Sequence, residues 1–196
     1  VLDIKGCIVT IDAMGCQTEI AQKIVEQDGD YVLALKQIQG HLYEDVDFLF
    51  DDLTQNQTPD SYDGCDVDAT KTVEKGHGRI ETRQAITLSG ADCIGSLRNA
   101  NSFANLKTVV KVTAERDINS EVSIESRYYI SSLDSDVDKL LDATRTHWGI
   151  ENCVHWVLDV AFREDECRIR KHNGAHNFAI LRRIALNLLK QENSVK

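Results

Sequence analysis

Proline is nearly absent: Pro59 stands alone among 196 residues, inside a polar stretch, about 54–78, that reads as a loop. Cys-x-x-Cys pairs are missing altogether, although Cys7, Cys16, Cys65, Cys93, Cys153 and Cys167 are present. Without paired spacing, and with several of them inside apolar runs, these are expected to be reduced thiols of a cytoplasmic protein rather than a disulfide framework. No apolar run approaches the roughly 20 residues that span a bilayer, and no secretory signal opens the chain. A membrane partner is therefore not expected. Positive charge is in deficit: a net charge of -10 and a pI near 5.0 oppose indiscriminate binding to nucleic acid. A local basic face remains available, because Arg145, Arg163, Arg168, Arg170, Lys171, Arg182, Arg183 and Lys190 crowd the C-terminal third. An initiator methionine is lacking too. The chain opens Val1-Leu2-Asp3 and soon reaches a core-type strand, so further upstream sequence is expected.

What is there reads first as α/β. Residues 7–11 form a continuous β-branched run, the pattern of a strand buried on both faces. Asp12 ends it, Gly15 provides a turn, and Thr18 can cap a helix carrying Ile20, Ala21, Ile24 and Val25 on one face. Asp28-Gly29 closes that helix, and 31–36 reads as a second buried strand. Strand, helix and strand with short links predict a βαβ unit of a parallel sheet.

From Gly40 the pattern changes. Leu42, Val46, Leu49, Phe50 and Leu53 predict an amphipathic helix, and 79–88 an alternating strand. Residues 108–115 and 121–131 predict a hairpin turning near Asp117-Ile118-Asn119. Residues 41–130 thus read as a β-rich α+β insertion between the βαβ unit and a long helix over about 136–162. A last amphipathic helix, about 173–191, carries Phe178, Leu181, Ile184, Ala185, Leu188 and Leu189.

Two carboxylates stand out. Asp12 falls at the carboxyl end of a predicted parallel strand, where ligand sites of such sheets lie. Glu151 falls on the stripe Val137, Leu140, Leu141, Thr144, Trp148, Glu151, His155, Leu158 and Phe162 of the long helix. A bare charge buried there must be paired, protonated or bound to metal. Plainer readings exist for each: Asp12 as a cap or turn residue, Glu151 as a partner of Arg145 or a histidine. Together the two acids suit a site for hard divalent cations, which take oxygen ligands; a third acid is expected, since two hold a pair of metals poorly.

Other clusters are weaker. His147, Glu151 and His155 are spaced four apart and could ligate zinc, but they read better as hydrogen-bond partners or phosphate contacts. His172 and His176 decorate a helix start. The acids of 63–68 lack the order of a calcium loop, and 75–79, though glycine-rich, matches no phosphate loop. Trp148 and Trp156 read as packing residues.

Thr10-Ile-Asp-Ala-Met-Gly-Cys-Gln17, Gly76-His-Gly-Arg-Ile-Glu-Thr-Arg83 and the tryptophan-rich block His147 to Val160 resemble one group of DDE transposases. So do Phe162-Arg-Glu-Asp165 and Leu181 to Lys190. The group comprises insertion-sequence transposases that include the H-repeat-associated proteins of Rhs elements. The resemblance covers essentially the whole chain in order. It implies a ribonuclease H-like core in which an Asp, Asp, Glu triad binds two divalent metals, Mg²⁺ or Mn²⁺. Asp12 matches the second aspartate and Glu151 the glutamate. The first aspartate has no counterpart here, Asp3 lying outside its motif. Wider relatives carry a tyrosine, an arginine and a lysine where this chain has Thr144, His147 and Leu158, so those roles do not transfer.

The resulting expectation is an α/β, ribonuclease H-like core, 1–40 with 131–196, and a β-rich insertion, 41–130. The implied function is transposition: cleavage and joining of DNA, with Asp12 and Glu151 as catalytic metal ligands. Arg145, His147, Asn152 and His155 are expected near the scissile phosphate, and Arg79 and Arg83 on DNA from the insertion. DNA is the expected partner, with a homodimer left open. This chain, lacking the first acid, is expected to be inactive; a nuclease of the same fold and a non-enzymatic DNA-binding remnant are the alternatives.

Overall fold

A computed structural model describes residues 3–56, 64–76, 79–118 and 121–192; at Asn56, Glu151 and Asn152 it describes the backbone alone. The strands of the described chain form one six-stranded sheet. Its strands are β1 (Ile8–Ile11), β2 (Asp30–Leu35), β3 (Asp66–Gly76), β4 (Arg79–Ser89), β5 (Thr108–Ile118) and β6 (Glu121–Ser131). The spatial order is β1-β2-β6-β5-β4-β3. β1 and β2 run parallel, and every other pairing is antiparallel. Helices α1 (Thr18–Glu26), α2 (His41–Asn56) and α3 (Ala91–Ser96) follow in order. Then come α4 (Val137–Ile150), a π-helical turn (Glu151–His155), α5 (Trp156–Val160) and α6 (Gly174–Gln191).

The chain divides into two compact units, Val1–Thr144 and Arg145–Lys196. In the first, β2 explains the two-layer packing. Its alternate residues Tyr31, Leu33 and Leu35 pack with Ala21 and Ile24 of α1 and with Leu42, Val46 and Phe50 of α2. Val32 points the other way, toward Val110, Tyr129 and Leu140 of α4. A strand apolar on both faces is thereby buried on both, as its sequence predicts. β1 has the same kind of run but all four residues are only half-buried. It is an edge strand, paired with β2 on one side alone, and an apolar run does not tell edge from centre.

Some local expectations need correction. Gln17, extended, is the N-cap residue of α1, and Thr18 is its first helical residue. Part of the predicted 54–78 loop is the long strand β3, paired residue for residue with β4; Pro59 lies outside the described residues. The strands within 41–130 extend the same sheet as β1 and β2. The cysteine expectation fails at one pair: Cys65, just before β3, and Cys93 of α3 form a disulfide, their Cα atoms 4.8 Å apart.

In the second unit α5 packs on α6, and Leu158 and Leu186 are buried. The predicted last helix is present as α6, and of its apolar stripe Phe178, Leu181, Ile184, Leu188 and Leu189 are exposed. Glu164 pairs with Arg183 at 3.4 Å, and Arg182 lies over the Phe178 ring.

On the sheet, Glu81 of β4 is 6% exposed and gathers Arg83 at 2.7 Å, Arg116 at 2.9 Å and Arg79 at 3.8 Å. Burial by itself would raise its carboxyl. The hydrogen bond from Arg116 and the charges of Arg83, Arg116 and Arg79 outweigh that, leaving it below the usual glutamate value. A lowered folded-state value stabilises the fold above the unfolded pKa and is lost as pH falls through the folded one. Urea midpoints of the native chain should therefore fall between about pH 5 and pH 3, across the ordinary glutamate range. Those of Glu81→Gln should fall less; parallel profiles for the two proteins would show that Glu81 is not responsible.

Candidate metal and DNA site

β1 ends at Asp12 because the chain must turn there. Asp12, extended at φ -70 and ψ 176, accepts a 3.2 Å hydrogen bond from the Met14 N–H and so caps the short 3₁₀ turn Ala13–Gly15. Gly15 is required in that turn, since an added Cβ would collide with the Ile11 side chain. The plain role foreseen for Asp12 is thus present. It uses only part of the carboxylate's capacity to accept, and the side chain is exposed.

The parallel partner β2 ends beside it. Lys36 follows β2 and opens a second 3₁₀ turn, Gln37–Gln39. Gln39 joins the two turns. Its amide donates to the carbonyls of Ala13 at 3.3 Å and Cys16 at 3.2 Å, and its oxygen accepts from the Lys36 N–H at 2.8 Å. Between the turns lies a groove of about 630 Å³, lined by Asp12, Ala13, Met14, Lys36, Gln37, Ile38 and Tyr43. Directly after the first turn, burial pushes the Cys16 thiol up to about 12, which disfavours its reactive thiolate. Neither Lys36 nor Gln39 is singled out by any sequence pattern, because a side chain reaching backbone carbonyls in another turn has no spacing signature.

Glu151 opens the π-helical turn Glu151–His155; its side chain and that of Asn152 lie outside the described residues. A π turn bonds i to i+5, so the four-residue arithmetic that put Glu151 and His155 on one helical stripe does not carry through it. The buried stripe holds through Thr144 and resumes at Leu158, while Trp148, Trp156 and His155 are exposed. Lys190 of α6 donates to the Cys153 carbonyl at 2.7 Å, satisfying a backbone group inside the turn. Arg145 is exposed, and the half-buried His147 ring stands edge-on to Trp148.

Arg83 is committed to carboxylates, with Glu74 at 3.3 Å besides Glu81, and Arg79 sits at the margin of the same cluster. Asp12, Arg79 and Arg83 belong to the first unit; Arg145, His147, Glu151, Asn152 and His155 belong to the second. Among the described residues, no group of three or more His, Cys, Asp and Glu could hold a metal ion. Asp12 still has the chemistry of a hard-cation ligand: an exposed oxygen donor with capacity to spare.

The fold and this groove define an α/β protein with an exposed carboxylate at the carboxyl end of a parallel strand. The family is explicit: the chain belongs to the transposase DDE domain family, which matches residues 1–188. It is 39% identical over 199 residues to "H repeat-associated putative transposase YhhI" of Escherichia coli (strain K12), covering all of this chain and 50% of that protein. It is 36% identical over 196 residues to "Putative transposase YncI" of Escherichia coli O157:H7, covering all of this chain and 48% of that protein. The chain thus spans about half the length of the curated relatives it matches. No solved structure matches it. Among the described residues, no helix is long and apolar enough to cross a membrane.

Proposed function

We propose that this chain is the part of an insertion-sequence transposase that carries two of its three catalytic acids, Asp12 and Glu151. The observation that carries this reading is Asp12 at the carboxyl end of β1, within a chain matched by the family over nearly its whole length. Its core is ribonuclease H-like, 1–40 with 131–196, and 41–130 is an insertion whose strands lengthen the same sheet. Support comes from the parallel β1–α1–β2 unit and from the free edge of β1, where a further strand bearing a further acid can pair.

Asp12 and Glu151 would hold Mg²⁺ or Mn²⁺, which when bound polarises a phosphodiester and lowers the pKa of the attacking water or hydroxyl. The remaining work belongs to the chain. The Ala13–Gly15 turn fixes the Asp12 carboxylate, Gln39 holds that turn against its neighbour, and Lys190 supports the turn that begins at Glu151. Arg145, His147, Asn152 and His155 hold the DNA phosphates, and Arg79 and Arg83 contact DNA from the insertion. The DNA substrate puts the protein in the cytoplasm, and joining two element ends suits a homodimer.

With two acids in place of three, the 196-residue chain is inactive by itself. Incubated with element-end DNA and Mn²⁺, it should give no specific cleavage. Specific cutting that disappears in Glu151→Ala would overturn this. A second reading is a DNA-binding remnant without catalysis, since no residue of this chain matches the family's first aspartate. DNA affinity that falls with salt but ignores both Mg²⁺ and Asp12→Ala would support it.

A further inference from the structure

We propose that the groove between the two strand-end turns seats a single strand of the DNA backbone, with Lys36 neutralising a phosphate and Met14 and Ile38 packing on its sugars. This deepens the transposase reading and rests on it for the identity of the polymer.

Three observations converge on the groove. Lys36 is the only cation among its lining residues, it is exposed, and among the described residues its ammonium has no ion-pair or hydrogen-bond partner. Among the described residues, Met14 and Ile38 have the highest exposures of the large apolar side chains, 82% and 79%. One stands on each turn, so they line the groove from the ends of both strands. Together on one groove they give it an apolar lining that an occupant can cover.

The Gln39 amide links the two turns and so presets their spacing before anything binds. A seat already formed loses less entropy on binding.

Charge also says which way a polyanion can lie. The neighbouring groove, which shares Tyr43, is lined by Glu44, Asp47, Asp51 and Asp52 of α2. A phosphate chain is repelled there and drawn to the Lys36 side. Asp12 at the lip then lies beside the strand rather than under a lone ammonium. Lys36 is a phosphate-contacting residue on this account; Met14 and Ile38 supply the contact that does not depend on charge.

The two contributions separate in one experiment. Fluorescence anisotropy with the 196-residue chain and labelled single-stranded and duplex oligonucleotides, in Mg²⁺, is followed over about 50–200 mM salt. Lys36→Ala is expected to weaken binding roughly three- to tenfold and to reduce the slope of log affinity against log salt by about 0.7–0.9, the loss of one phosphate contact. Lys36→Arg should restore both. Met14→Ser with Ile38→Ser should weaken binding while leaving the slope unchanged. Protection of Lys36 from acetylation by bound DNA, read by mass spectrometry on the unaltered chain, gives the same answer without a variant.

Binding by the unaltered chain that Lys36→Ala leaves intact in affinity and slope would overturn the seat and leave the transposase reading standing. No binding of either oligonucleotide by the unaltered chain would overturn both.

Discussion

Removing the Cys65–Cys93 disulfide, as Cys65→Ser with Cys93→Ser, is expected to destabilise the first unit by about 3–4 kcal/mol, the closure entropy of a loop of this length. For a protein of this size that is a fall in melting temperature of roughly 10 °C. The bond joins the start of edge strand β3 to α3, and two glycines make the approach possible. Gly64, immediately before Cys65, has φ 82, and Gly90, immediately before α3, has φ 108, both in the left-handed region. A Cβ on Gly90 would come within 3.0 Å of the Gly64 carbonyl oxygen. Both sulfurs belong to buried residues, so the double variant tests the bond more cleanly than reductant added to the native fold. Thermal melts of variant and native protein that coincide would show that the bond contributes nothing. In a reducing cytoplasm the same bond would be open, and edge strand β3 would rest on its pairing with β4 and on packing.

Phe50→Ala is expected to cost about 3–5 kcal/mol, the range for deleting a buried aromatic ring. Phe50 is fully buried and stacks on Tyr128 with ring centroids 5.7 Å apart. Tyr128 in turn meets the edge of Tyr43 and donates from its hydroxyl to Asp47 at 2.7 Å. The cavity would open under the segment of α2 that carries Tyr43, the wall of the groove beside Asp12. Loss of stability should therefore come with weaker DNA binding at temperatures where the variant is still folded. Urea unfolding gives the first quantity directly; a change below about 1 kcal/mol would mean the site collapses around the deletion.

The sequence made some of this legible and hid the rest for definite reasons. β1, α1 and β2 could be read because each has an unbroken apolar pattern and a turn residue, Gly15 or Gly29, at its limit. α2 could be read because Leu42, Val46, Phe50 and Leu53 recur at helical steps and are all buried. β3 could not, since most of its residues are exposed at the sheet edge and nothing selects apolar side chains there. The Cys65–Cys93 pair could not, because 28 residues separate two cysteines that only the fold brings together. α6 misled in the other direction: its apolar stripe is real, yet most of it is exposed.

The turn that starts at Glu151 also carries an evolutionary consequence. Relative to an α-helix, one residue more is accommodated there, and each residue of an α-helix advances the facing direction by about 100°. Deleting a single residue between Glu151 and His155 would let the segment relax into ordinary α-helix while the side chains after it keep nearly the same direction, because the wider turn already absorbs the extra residue. Related chains with and without that residue would stay in register on either side of the turn, so a one-residue gap in comparisons of their genes belongs within 151–155.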